Sequence, residues 1–265
     1  MPERLQAGVA GLIIAVGAMW AQSAASRPTF DAFEVASIKP TSPEWLHGRY
    51  ITMQGHQFVA KNHTLKTLIE AAYNLSPRAI SGGPPWIDSD HYDILAKPPG
   101  EVRPNLDEKM SMLRKLLADR FSLAFHREPK QLSIYALVVS KNGSKLRPGT
   151  EPSDGPRPLV FVIAPGSVSM PGRNVTMGEF ASVMQRAALD RPVVDQTGLK
   201  GRYDFDLEFT PDESQFGGML PKAEGESVKP GLFAAMQDQL GLRLEATRGP
   251  VDTLVVDQAE HPIEN

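Results

Sequence analysis

Asp88, Asp90, His91 and Asp93 fall within six consecutive positions of "GGPPWIDSDHYDIL" (82–95), just after a Gly-Pro turn. Three carboxylates and an imidazole at that spacing have the chemistry to hold a hard cation or to pass a proton. An EF-hand-like loop, however, needs a longer ligand series with a Gly at the bend and a distal Glu, and the stretch has neither. A second reading keeps the residues structural, because an Asx side chain bonds a backbone amide two residues on and so caps a turn. Trp86 and Tyr92 add aromatic surface, which makes Trp86, Asp88, Asp90, His91 and Tyr92 a candidate ligand groove. Tyr73 and Phe58 are further candidates for its wall, although core packing is the ordinary fate of such rings.

Other chemistries find less support. The histidines (His47, His56, His63, His91, His126, His261) show no H-x-x-x-H spacing that would put two on one helical face. Only His56 and His63, flanking a strand, are placed to meet in space. There is no G-x-S-x-G elbow and no S-x-x-K. "SGGPP" and "FGGML" lack the Lys and the strand-to-helix setting of a phosphate loop. Asp204, Asp206 and Glu208 share one face of "YDFDLEF", which reads as the solvated face of a strand. With no cysteine, thiol nucleophiles, Cys-zinc sites and iron–sulfur clusters are excluded. No catalytic, cofactor-binding or metal residues are therefore assigned.

The 265 residues carry 28 Lys and Arg among 31 Asp and Glu, a scattered balance that argues against a nucleic-acid partner, which needs clustered cations. The opening "MPERLQAGVAGLIIAVGAMWAQSAAS" runs from Arg4 through an apolar stretch to Ser23, Ala24 and Ala25. That is the layout of a secretory signal peptide, so residues 1–25 are expected to direct export to the periplasm or beyond, with no membrane span left after their removal.

The elements that must position these residues come in two similar sets. "TLKTLIEAAYNL" from Thr64 and "TMGEFASVMQRA" from Thr176 carry apolar residues at the same six offsets, 112 positions apart. Each opens on Thr as N-cap, in "NHT" and "NVT", and Glu179 completes a capping box. These motifs also fit the N-glycosylation pattern, a reading set aside in view of the capping role. "HYDIL" (91–95) aligns with "RYDFD" (202–206), and "LLADRFSLAFHRE" (116–128) with "AMQDQLGLRLEAT" (235–247). Fixed order with one loop lengthened, at the polar run 210–231, is the mark of an internal duplication. Second helices are predicted from Asn105 and from Pro230 to near Gly241, and an extra strand at "FEVASIKP" (33–40). Each copy is then predicted to close with a hairpin, turning at Glu128-Pro129-Lys130 and at Arg248-Gly249-Pro250. The expectation is an α+β protein of two lobes, 26–155 and 156–265, each an antiparallel sheet with helices packed on one face, joined through the Gly/Pro-rich "NGSKLRPGTEPSDGPRP" (142–158).

The words "FEVASIKPT", "ISGGPPWIDSDHYDILAKPPG", "LLADRFSLAFHRE", "YALVVSKNGSKL", "RPVVDQTGLKGRYDFDLEFTPD" and "LGLRLEATRGPVDTLVVDQAEHPIEN" closely resemble a paralogous family of exported proteins, expanded in soil Acidobacteria and known as a domain of unknown function. Similar domains in that family are fused behind membrane metallopeptidases of the antibiotic-sensor type. The resemblance implies an extracytoplasmic sensing or binding role, although this chain has no H-E-x-x-H. The half-repeat also resembles the small N-terminal domain of secretins and TonB-dependent receptors, a likeness at fold level alone. The expected function is a non-catalytic envelope module that binds a protein, peptide or cell-wall component without a cofactor. The alternative is an extracytoplasmic hydrolase with carboxylates assembled from distant segments.

Overall fold

The computed structural model describes residues 27–150, 159–218, 220 and 229–262. The expected signal segment and the expected boundary near residue 155 lie outside them. The first half supplies β1 (Val35–Pro40), β2 (Tyr50–Gln54), β3 (Gln57–Thr64), α1 (Leu65–Tyr73), β4 (Ile80–Gly82), β5 (His91–Lys97), α2 (Leu106–Arg120) and β6 (Ala124–Val139). The second supplies β7 (Arg147–Pro148), β8 (Val162–Ala164), β9 (Ser167–Val175), α3 (Met177–Val183), β10 (Val193–Asp195), β11 (Tyr203–Phe209), α4 (Leu232–Ala235) and β12 (Leu242–Gln258). α3 and α4 run on into single π turns at Met184–Ala188 and Met236–Leu240. The element order is the same in both halves, and the protein is α+β.

Among the described residues three four-stranded sheets result, in the orders β1-β5-β3-β2, β10-β6-β12-β4 and β7-β11-β9-β8. The outer two are antiparallel and belong one to each half. The central one is mixed and shared: β6 and β12 pair antiparallel, β4 joins β12 in parallel, and β10 joins β6 in parallel. Each half therefore lends its short strand to the long strand of the other. The exchange is nearly two-fold symmetric. Gln131 lies opposite Pro250, 119 positions on, and the strands flanking the ribbon meet it at Tyr135 and Leu254, also 119 apart.

This arrangement corrects the predicted hairpins. Neither Glu128-Pro129-Lys130 nor Arg248-Gly249-Pro250 turns; both lie inside unbroken strands of 16 and 17 residues. Proline is tolerated in a strand where its missing N–H would face an open edge. Here the flanking strands reach only residues 135–137 of β6 and 254–256 of β12, so the middle of the ribbon is two-stranded. Pro129 faces Asp252 and Pro250 faces Gln131, two residues apart and so in the same class of pair, with both absent N–H groups directed outward. At Gly82, with φ of +78°, β4 approaches β12 so closely that an added Cβ would lie 2.6 Å from the Val256 carbonyl oxygen. That packing explains the first glycine of "SGGPP".

Two apolar clusters follow from the pattern. In the first, Leu65, Leu68, Ile69 and Ala72 of α1 meet Leu113, Leu116 and Leu117 of α2 over Phe58, Ala60 and Ile94. In the second, Met177, Phe180, Ala181 and Met184 meet Leu232, Ala235 and Met236 over Met170, Phe205 and Leu207. Each Leu, Ile, Met or Phe among them contributes about 1.5–3 kcal/mol on full burial. The first cluster also takes Leu254 and Val256 from β12, and the second takes Leu137 from β6. Between the lobes, Asn74 donates from Nδ2 to Ser182 Oγ at 2.8 Å, and Arg78 pairs with Asp190 at 3.0 Å.

Candidate functional site

The motif shared by the two halves resolves into a backbone lock. Before each N-cap threonine, Asn62 (φ 59°) and Asn174 (φ 54°) bulge out of β3 and β9 in the left-handed conformation that Asn tolerates best among residues with a side chain. The bulge turns the peptide N–H toward the strand behind it. Asp93 Oδ1 accepts from Asn62 N at 3.0 Å, and Asp204 Oδ1 accepts from Asn174 N at 2.7 Å. Thr41 and Thr150 donate their hydroxyls to the same carboxylates at 2.8 and 2.9 Å. The bulged carbonyls are also satisfied: His91 Nδ1 donates to Asn62 O at 3.2 Å, and Arg202 donates to Asn174 O at 2.7 Å.

Burial is the strongest single influence on the Asp93 carboxyl and opposes its ionisation, yet Lys61, the Asn62 amide and the Thr41 hydroxyl together hold its pKa below the ordinary value. Asp204 is lowered chiefly by the Asn174 amide. Asp204 also departs from the expected solvated face. A register shift between Tyr203 and Phe205 turns it inward, whereas Asp206 and Glu208 remain exposed and pair with Arg173 and Lys229.

The other candidate residues divide. Asp88 pairs with Lys66 at 2.9 Å, and Asp90 accepts from the Ser89 hydroxyl at 2.9 Å. The carboxylate of this stretch that takes a backbone amide is Asp93, and that amide, of Asn62, lies 31 residues away across the sheet, not in a local turn. Phe58 is wholly buried against Phe33, and Tyr73 packs edge-on to Phe125. His56 lies 3.7 Å from Glu101, apart from His63, which is buried in the β3–α1 junction.

Trp86, Asp90 and Tyr92 do come together, around a residue that local spacing did not reveal. His261 stacks on Trp86 with ring centroids 4.1 Å apart, its Nδ1 lies 2.8 Å from the Tyr92 hydroxyl, and Asp90 Oδ2 is 3.8 Å away. Burial, with Asp90 adding to it, raises the Tyr92 pKa, so the phenol stays protonated. Glu260 donates its amide to Phe121 O at 2.7 Å and accepts from the Ser122 hydroxyl. The cluster thus clasps the segment 259–262 to the first lobe. Its contacts run within the chain, and none joins Asp88, Asp90 or His91 to a carboxylate of the second outer sheet among the described residues.

A different surface is open among the described residues. β8 ends the sheet β7-β11-β9-β8, and no strand among the described residues pairs with its outer edge. From Leu159 to Gly172 the chain has no charged residue. Val160, Val162 and Ile163 are about half exposed (48%, 53% and 55%). Beside them lies an apolar recess lined by Ile163, Ala164, Pro165, Pro211 and Leu220. The matching edge in the first half is dressed differently. Trp45 lies beside Tyr50 with its ring under the Lys61 ammonium, and Thr52 and Gln54 are exposed. Sequence patterning missed β8 because three apolar residues give no period to read.

Among the described residues there is no group of three His, Asp or Glu placed to hold a metal, and no helix long and apolar enough to cross a membrane. Compared with curated proteins and with solved structures, the chain matches none. A family model does match, from the first turn of α1 to the end of β12 through both lobes (residues 66–259), and by that match the chain belongs to the family described as protein of unknown function (DUF3738).

Proposed function

We propose that this protein is an exported, non-catalytic binding module of the cell envelope, and that it takes an extended segment of a polypeptide partner along β8. The observation that carries the reading is the open, uncharged edge at Val162–Ala164 beside an apolar recess. Natural edge strands are ordinarily protected by charge, proline, a bulge or a covering element. An edge without charge that also exposes aliphatic side chains suits strand addition: backbone hydrogen bonds supply affinity and alternate side-chain pockets supply selectivity. The apolar N-terminal run, with small residues at Ser23, Ala24 and Ala25, supports export.

The test is crosslinking and capture of C-terminally tagged protein from envelope extract, run beside Ile163→Lys and Val162→Lys. The expected result is one polypeptide enriched by the wild type and lost from both variants, while both variants melt as the wild type does. Equal capture by wild type and variants, or recovery of the bait alone, overturns the reading. N-terminal sequencing of the secreted form tests export separately; retention of the chain in the cytoplasm with residues 1–25 intact would sink that half.

A further inference from the structure

The two lobes differ in kind at one buried position. Asn62 and Asn174 fix the correspondence of β3 with β9, so His63 and Val175 occupy the same place, and both are almost fully buried (5% and 3% exposed). In the second lobe the surroundings are conventional: Val175 joins the apolar cluster, and Thr176 and Glu179 form a capping box. In the first lobe Thr67 stands where Glu179 does. Its hydroxyl donates to Thr64 O at 2.9 Å, and its oxygen lies 3.1 Å from His63 Nδ1. With that hydroxyl hydrogen committed, Nδ1 is the donor and Nε2 carries the lone pair. Nε2 is buried and no group makes a well-formed hydrogen bond to it; the Tyr50 backbone favours a proton on the ring but is outweighed by burial and Arg49.

The charged groups around the junction offer no relief to a second proton. Arg49, just before β2, and His91, at the start of β5, both oppose a positive charge on the ring. Lys61 is taken up by Asp93 and Lys66 by Asp88. The Glu70 carboxyl on α1 is held toward its neutral form by burial, with Asp88 adding to that effect. We propose that His63 makes the first lobe an acid-responsive element, in which protonation of the buried ring loosens the β3–α1 junction while the second lobe, built on Val175, stays closed. Burial first and then Arg49 push the ring's pKa down to about 4, against a smaller opposing influence from the Tyr50 backbone.

A group whose pKa is depressed by folding contributes stability above its unfolded value, near 6.5, and loses it as pH falls through the folded value. Between neutral pH and pH 4 the opening equilibrium of this junction is expected to rise on the order of 100-fold from this group alone. Hydrogen exchange on the full chain reads it as protection factors for residues 57–73 against those for 168–183. The acid titration of Asp93 and Asp204 affects both segments and that of Glu70 the first, so the comparison of wild type with His63→Val, which keeps all three carboxyls, isolates the imidazole. Protection is expected to fall selectively in the first segment, and His63→Val to abolish the difference. A parallel fall in both lobes, or an unchanged difference in the variant, overturns the proposal. NMR titration of the His63 ring in the wild type gives a readout that does not depend on the variant's folding; a midpoint at or above pH 6 overturns it equally.

Discussion

At corresponding positions the two lobes share a skeleton and differ in what is hung on it. Both lock a left-handed Asn onto a strand aspartate and a threonine hydroxyl. The first lobe then adds a buried histidine, a dressed sheet edge and an aromatic clasp on segment 259–262, while the second keeps valine, a capping box and a bare apolar edge. The shared parts satisfy backbone groups that a bulge would otherwise leave buried and unpaired, a requirement of the fold. The capping box aside, the unshared parts answer to no such requirement. A polar ring where the other lobe has a methyl pair, and an apolar edge where the other lobe's edge strand presents Tyr50, Thr52 and Gln54, are therefore the places to look for function.

The comparison is most severely tested at the exchanged strands. Leu254→Ala is expected to cost about 2–5 kcal/mol, as is Leu137→Ala. The loss should cross over: hydrogen exchange should show the C-terminal substitution loosening the first lobe, and the β6 substitution loosening the second. If each loosened the lobe nearest in sequence, the reading of the exchanged core would be wrong.

Next in size are the carboxylate locks. Asp93→Ala and Asp204→Ala each strand a bulged amide, and each should lower stability by about 1–3 kcal/mol in urea melts. Both carboxyls titrate below their ordinary range when folded, so their contribution is complete above about pH 4 and is lost as the pH falls further. Asp93→Asn and Asp204→Asn should correspondingly flatten the acid limb of the stability profile.

The clasp comes third. His261→Ala removes a stacked pair and should cost about 0.5–1.5 kcal/mol, with faster exchange confined to the end of the chain and the start of β5. Smallest is the half-exposed ion pair between the lobes, where Arg78→Ala should move the melting free energy by less than about 1 kcal/mol and less again in high salt.

How much of this was legible in the sequence depends on how local each signal is. α1 and α3 were readable from the period of Leu65, Leu68, Ile69 and Ala72 and of Met177, Phe180 and Ala181, and their starts from Thr64 and Thr176, because capping and amphipathicity are settled within a few residues. The N-cap threonines were seen, but the role of the Asn two positions before each was not, since the aspartate that makes the bulge useful is 30 or 31 residues away. The predicted hairpins failed for a related reason. Pro129 and Gly249-Pro250 are turn residues by any local rule, and only the absence of flanking strands at that height of the ribbon lets them lie straight. His261 was invisible as a site residue because its partner Tyr92 lies 169 positions earlier.

The exchanged ribbon also orders events in time. Residues 254–256, which pair with β4 and join the first core, are synthesised after every other strand of that half, whereas β6, which receives β10 and joins the second core, precedes all the other strands of that lobe. The half made first must therefore wait as an open template, its β4 edge unfilled, until β12 arrives, while the half made second finds its β6 partner already in place.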